Sequence, residues 1–212
     1  MIHEILPVGM LQCNCSVLGD EASKEAIVVD PGDEIEEIVA ILERHQLRVK
    51  YIVITHAHID HIGGAAKLKK LTGAPVYLNE QDFELYNHLG EQALWLGVEE
   101  PERTAIDAVA KEGDVIQWGA QKATVMHTPG HTQGSICLLV PQPEAPLLLA
   151  GDTLFRSSIG RTDLPGGNMA KILASLKNKL LALEDATIVV PGHGPKTTIG
   201  REREMNPFLQ GL

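Results

Sequence analysis

Residues 55 to 61 read THAHIDH, three imidazoles and one carboxylate within seven positions, straight after the apolar run Tyr51, Ile52, Val53, Ile54. Imidazole and carboxylate together suit zinc, iron or manganese, whereas calcium prefers an oxygen shell and a structural zinc site is rich in thiolate. On extended backbone His56 and His58 project to the same side, while Asp60 and His61 fall where the chain begins to curl. One loop can therefore face two points. Three more donors follow, each at a strand end or loop beside glycine or proline: His131 in TPGHTQGS, Asp152 in LLLAGDTLF and His193 in VVPGHGP. Glycine there lets the backbone approach closely. Seven donors exceed one tetrahedral ion and fit two divalent metal ions bridged by Asp152. We expect His56, His58 and His131 on the first ion, and Asp60, His61 and His193 on the second. His3, His45, His88 and His127 lack such a setting and are expected to be structural.

The elements that must position these residues follow from periodicity and turn signals. Strands are expected at 3–10, 13–18 and 26–30, then an amphipathic helix over 34–45 with acids in its first turn and Arg44 and His45 in its last. A short apolar strand at 50–54 leads into the histidine loop, and Gly63-Gly64 turns the chain into a helix over 65–71. A strand at 75–78 and a helix over 81–89 come next, with an undefined segment to 98. Strands resume at 115–118, 123–127, 135–140 and 147–149, followed by a helix over 169–183 and a strand at 187–190. Strands in two groups, each finished by helices, predict two mixed sheets face to face with helices outside. We expect one domain over 1–212, since no linker divides the chain.

Composition narrows the partners. The formal charge is −10, and the densest basic group is Lys67, Lys69 and Lys70. The summed field repels a phosphate backbone, so no nucleic acid is expected. No apolar stretch reaches spanning length, so no membrane is expected either. Three cysteines and a start without secretory features favour a reducing cytoplasm. Cys13-Asn-Cys15 lacks a nearby third thiolate, and plain burial is expected of it. The sequence sets no oligomeric state.

THAHIDH, the GHT at 130–132, the GD at 151–152 and the GHG at 192–194 resemble the metallo-β-lactamase superfamily over nearly the entire chain. That resemblance implies a four-layer αββα sandwich, with metals at one edge between the sheets. It also implies that Asp30, before Pro31-Gly32, braces the histidine loop through hydrogen bonds. Within the superfamily, GDTLF, SSIGRTDLPGGN and TTIGREREMNPFL are similar to the compact bacterial type II glyoxalases, hydroxyacylglutathione hydrolases that cleave S-D-lactoylglutathione to D-lactate and glutathione. A glutathione conjugate is then the small-molecule thioester substrate. The chemistry implied is attack by a hydroxide shared between the metals, zinc first and iron or manganese next, with Asp60 as the catalytic carboxylate. Arg161 matches a basic residue that binds a glutathione carboxylate, a task suited to a guanidinium fork. Where larger glyoxalases have a tyrosine this chain has Asp163, and residues 194–212 are too few for their separate C-terminal helical substrate domain. Lactam-cleaving members with this loop typically carry cysteine at the position of Asp152, which speaks against lactam cleavage. Persulfide dioxygenases share the loop but use one iron on residues matching His56, His131 and Asp152. A lactonase, a phosphodiesterase and a non-catalytic metal-binding protein are the remaining readings.

Overall fold

Apolar and β-branched stretches occur in two groups, and each group builds one six-stranded sheet. The computed structural model describes residues 1–212. Contacts divide the chain into a unit of Met1–Ala110 with Gln117–Gln121 and a unit of Lys111–Ile116 with Lys122–Leu212.

In the first unit the sheet runs in chain order through β1 (Ile2–Val8), β2 (Cys13–Gly19), β3 (Glu25–Val29), β4 (Arg48–Val53), β5 (Val76–Leu78) and β6 (Ala108–Val109). The first three strands are antiparallel and the last four parallel. Parallel strands are covered on both faces, and accordingly Ala26, Ile27, Val28 and Val29 of β3 are all buried. The helix α1 (Ile35–His45) turns Ile35, Ile38, Ile41 and Leu42 inward, with Glu36 and Glu37 at its positive end and Arg44 and His45 at its negative end.

The histidine loop closes into a single turn, α2 (Ile59–Ile62), which the pattern alone does not reveal. It is followed by α3 (Ala65–Thr72). The helix expected over 81–89 is instead a 3-10 turn at Glu80–Asp82 running into α4 (Phe83–Asn87). The undefined segment after it is α5 (Leu89–Leu96). β6 has only two residues, too few to show an alternation.

The second sheet has the order β14-β13-β10-β9-β8-β7. Its strands are β7 (Val115–Trp118), β8 (Gln121–His127), β9 (Ile136–Val140), β10 (Leu147–Gly151), β13 (Ile188–Pro191) and β14 (Thr197–Thr198). β10 is buried along its whole length and pairs parallel to β13, so both of these strands end at the same rim. After β10 comes a small hairpin of β11 (Leu154–Phe155) and β12 (Ser158–Ile159). The helix expected over 169–183 is shorter. α6 (Met169–Ser175) passes into a π turn at Leu176–Leu180, and Ile172, Leu176 and Leu180, four residues apart, all stay buried. The chain closes with α7 (Ile199–Met205), capped by Thr198, whose hydroxyl accepts from the Arg201 amide. No helix is long and apolar enough to cross a membrane.

Candidate functional site

β4 delivers the chain to Thr55 at the rim of the first sheet, and β3 delivers Asp30 beside it. Asp30 is buried with φ 54°, a left-handed conformation that aspartate tolerates better than most residues. Its Oδ1 accepts from the Thr55 amide at 2.7 Å, and its Oδ2 accepts from the Thr55 hydroxyl at 2.7 Å and from His61 Nδ1 at 2.9 Å. Because the Thr55 hydroxyl proton goes to Asp30, its oxygen accepts from His56 Nδ1, 3.1 Å away. A single carboxylate thus fixes the tautomer of two imidazoles and leaves Nε2 as the lone-pair nitrogen of both.

Pro31-Gly32 lies directly against the loop: a Cβ on Gly32 would sit 1.7 Å from the Asp60 carbonyl oxygen. The His56 ring lies 4.8 Å from that of His58 and 4.0 Å from that of His61, centroid to centroid. Asp60 Oδ2 is 3.6 Å from His61 Nε2. Two residues from farther along the chain brace the loop. Asp82 accepts from the Ala57 amide at 3.0 Å, and the Gln92 carboxamide accepts from Ile59 N and donates to Ala57 O.

Cys13 Sγ is 3.5 Å from His61 Nδ1, and burial, only partly offset by that histidine, pushes its thiol up to about 12. Cys13 and Cys15 are both buried, and Cys13 meets His61 of the histidine loop as a neutral thiol rather than as half of a Cys-Asn-Cys pair.

In the second unit the donors come from the ends of three strands. His131 follows β8, Asp152 follows β10, and His193 follows β13. The Gly192 amide donates to the Gly151 carbonyl at 2.7 Å, which ties the His193 loop to the end of β10. His131 Nδ1 donates to the Arg161 carbonyl at 2.9 Å, so its lone pair also rests on Nε2. That nitrogen is 3.5 Å from Asp152 Oδ2, and His193 Nε2 is 3.7 Å from the same oxygen. Gly160 lets the hairpin close onto this group, since a Cβ there would meet the Asp152 carbonyl oxygen at 1.9 Å. Behind it, Thr128 Oγ1 contacts Thr153 Oγ1 at 2.9 Å and Cys137 Sγ at 3.3 Å, all buried.

These nitrogen-to-oxygen separations are longer than a normal hydrogen bond. Two ligands each ~2.1 Å from one tetrahedral ion stand roughly 3.4 Å apart, so the spacing suits donors arranged around a cation. The donor set, neutral imidazole Nε2 with carboxylate, fits a divalent first-row metal. Within the first unit the structure brings together His56, His58, Asp60, His61 and Asp30. Within the second it brings together His131, Asp152 and His193. The Arg161 guanidinium is exposed and already forked onto Asp163 at 2.8 and 2.7 Å, and that hydrogen bonding holds the Asp163 carboxyl down at about 2. The remaining histidines have local partners: His3 with Ser16, His45 with Glu4, His88 with the Glu84 carbonyl and His127 with the Gln133 carbonyl. Asp82, Gln92 and the carbonyl of Arg161 carry no sequence signal, because each acts only through a contact made by the folded chain.

Residues 8–193 match the metallo-beta-lactamase superfamily, a span containing all seven donor positions. The chain belongs to this superfamily of metallo-hydrolases, whose fold of two mixed sheets with helices implies divalent-metal binding. Among its relatives is the hydroxyacylglutathione hydrolase GloC of Haemophilus influenzae, 38% identical with 97% of each chain covered. The crystal structure of BLEG-1 B3 metallo-beta-lactamase is 39% identical, covers 99% of this chain and 100% of its own, and superposes with a TM-score of 0.91. TTHA1623, solved in a di-iron-bound form, is 37% identical, covers 97% and 100% respectively, and gives a TM-score of 0.87.

Proposed function

We propose that the donors of the two units face one pair of divalent cations in a single functional domain, and that the protein is a thioester hydrolase cleaving S-D-lactoylglutathione to D-lactate and glutathione. The observation that carries this reading is the 38% identity, across 97% of both chains, to a hydroxyacylglutathione hydrolase. His56, His58 and His131 would hold the first ion, Asp60, His61 and His193 the second, with Asp152 between them. Zinc suits the donors, and the di-iron form of TTHA1623 keeps iron in play.

When bound, the ions supply a water that is nucleophilic near neutral pH and a charge partner for the thioester carbonyl. The chain's own residues do the rest. Asp30 and Thr55 orient His56 and His61, and the Arg161 carbonyl orients His131. Asp60, held at the start of α2, accepts a hydrogen bond from the attacking water and takes its proton. A thiolate departs readily, so little general-acid help is asked of Asp60 at the second stage. The Arg161 guanidinium would bind a glutathione carboxylate by exchanging it for Asp163.

Metal analysis of the purified protein, paired with thiol release from lactoylglutathione, tests this. Two metals per chain and oxygen-independent thiol release are expected. One iron per chain with oxygen uptake and sulfite formation from glutathione persulfide would replace the hydrolase with a dioxygenase. A second reading, opening of a β-lactam ring, is favoured by the full-length likeness to BLEG-1. A chromogenic β-lactam turned over faster than lactoylglutathione would promote this reading over the first.

A further inference from the structure

Gln92 reaches the histidine loop from α5 and is absent from every ligand assignment above. Its carboxamide makes two bonds on either side of His58: Oε1 accepts from the Ile59 amide at 2.9 Å, and Nε2 donates to the Ala57 carbonyl at 3.2 Å. Nε2 also donates to the Leu85 carbonyl at 3.2 Å, which anchors the clamp to α4. His58 between them is extended, with φ −74° and ψ 147°.

Position 58 combines two roles. His58 is the N-cap of α2, a place usually held by serine, threonine, aspartate or asparagine, whose side chain satisfies an orphan amide of the first turn. A histidine with its ring committed to a ligand cannot do this, and no side-chain cap bond is made by His58. Gln92, from 33 residues away, supplies an acceptor for another orphan amide of that turn, that of Ile59 at its first position. Asp82 completes the brace by accepting from the Ala57 amide, so the Ala57 peptide is held at both its nitrogen and its oxygen.

We infer that Gln92 is a positioning residue: it satisfies the first amide of α2 and fixes the peptides flanking His58, so that the ring of His58 is presented for metal. This rests on the metal reading above. Partners that orient a ligand typically matter 10- to 100-fold in metal affinity when removed.

The test is zinc affinity by competition with a chromophoric chelator for wild type, Gln92→Met and Gln92→Glu, together with melting of the metal-free proteins and amide exchange at Ile59. Gln92→Met should bind zinc ~10-fold or more weakly and expose the Ile59 amide to exchange, with metal-free melting close to wild type. Gln92→Glu retains an acceptor for Ile59 but no donor for Ala57, and should keep the amide protected while losing part of the affinity. If Gln92→Met does not fold, Gln92→Glu alone decides: unchanged affinity with a protected amide overturns the inference. Wild-type affinity in a folded Gln92→Met overturns it as well. A wild-type protein that takes up no metal defeats the metal reading itself, whereas normal uptake by wild type and variants alike defeats only the role of Gln92.

Discussion

The two units hold their histidines by different means. In the first, Asp30 sets His61 directly and His56 through the Thr55 hydroxyl, so one carboxylate governs two imidazoles. In the second, His131 is set by a backbone carbonyl, that of Arg161, and Gly160 lets the hairpin come close enough for this contact. The difference teaches where each half is vulnerable. A side-chain relay fails at one substitution, whereas a carbonyl cannot be mutated away and fails only when the backbone carrying it is displaced.

Substitutions chosen from each side sharpen the contrast. The largest effect is expected at Asp152, which both second-unit histidines face. Asp152→Ala should lower kcat/KM by ~10³-fold or more and reduce bound metal, with far-UV circular dichroism unchanged. Turnover near wild type would remove Asp152 from the site.

Next comes Asp30→Ala, which strips three donors of their buried acceptor. The unfolding free energy should fall by about 3 kcal/mol or more in denaturant titration, and metal affinity should drop ~10- to 100-fold. An affinity equal to wild type would show that the relay does not orient the rings.

The close approaches should be comparable in the two units. Gly32→Ala and Gly160→Ala each drive a Cβ into a backbone carbonyl, at 1.7 and 1.9 Å, and should each cost about 1–3 kcal/mol of stability. Gly160→Ala should also weaken metal binding, because the displaced segment carries the carbonyl that holds His131. A stable variant with unchanged metal affinity would uncouple the hairpin from His131.

Alkaline titration probes the second core. Burial pushes the Cys137 thiol up to about 11 from an ordinary 9.0. A raised pKa contributes stability that is complete below pH 9 and is lost as pH climbs through about 11, because the unfolded chain releases its proton first. The stability difference between wild type and Cys137→Ala should shrink by roughly 2 kcal/mol across that window. A difference constant from pH 8 to 11 would contradict the buried neutral thiol.

The smallest effect is expected at Arg161→Ala. Its carbonyl survives, so zinc affinity should stay within about 2-fold, while KM for lactoylglutathione rises ~10-fold as a carboxylate partner is lost. Unchanged KM would leave the guanidinium as no more than the partner of Asp163.

Legibility in the sequence divides along the same line. THAHIDH is readable because four donors are adjacent, and α1 because Ile35, Ile38 and Leu42 recur at helical spacing. His131, Asp152 and His193 are spread over more than sixty residues and are legible only as donors at strand ends or loops beside glycine or proline, a fainter signal than a cluster. The two-residue strands β6, β11, β12 and β14 are too short to alternate. The π turn at Leu176–Leu180 keeps the apolar spacing of an ordinary helix and so passes for one. Asp82 and Gln92 are ordinary polar residues of a helical segment, and only tertiary contact turns them toward the loop.

Donors from both units are proposed to share one pair of cations. Anomalous diffraction from crystals of the metal-loaded protein measures this directly. Two peaks about 3.5–4 Å apart are expected, with His56, His58, Asp60 and His61 together with His131, Asp152 and His193 as ligands. Peaks held by residues of one unit alone, or a single ion that leaves Asp152 unbound, would contradict it.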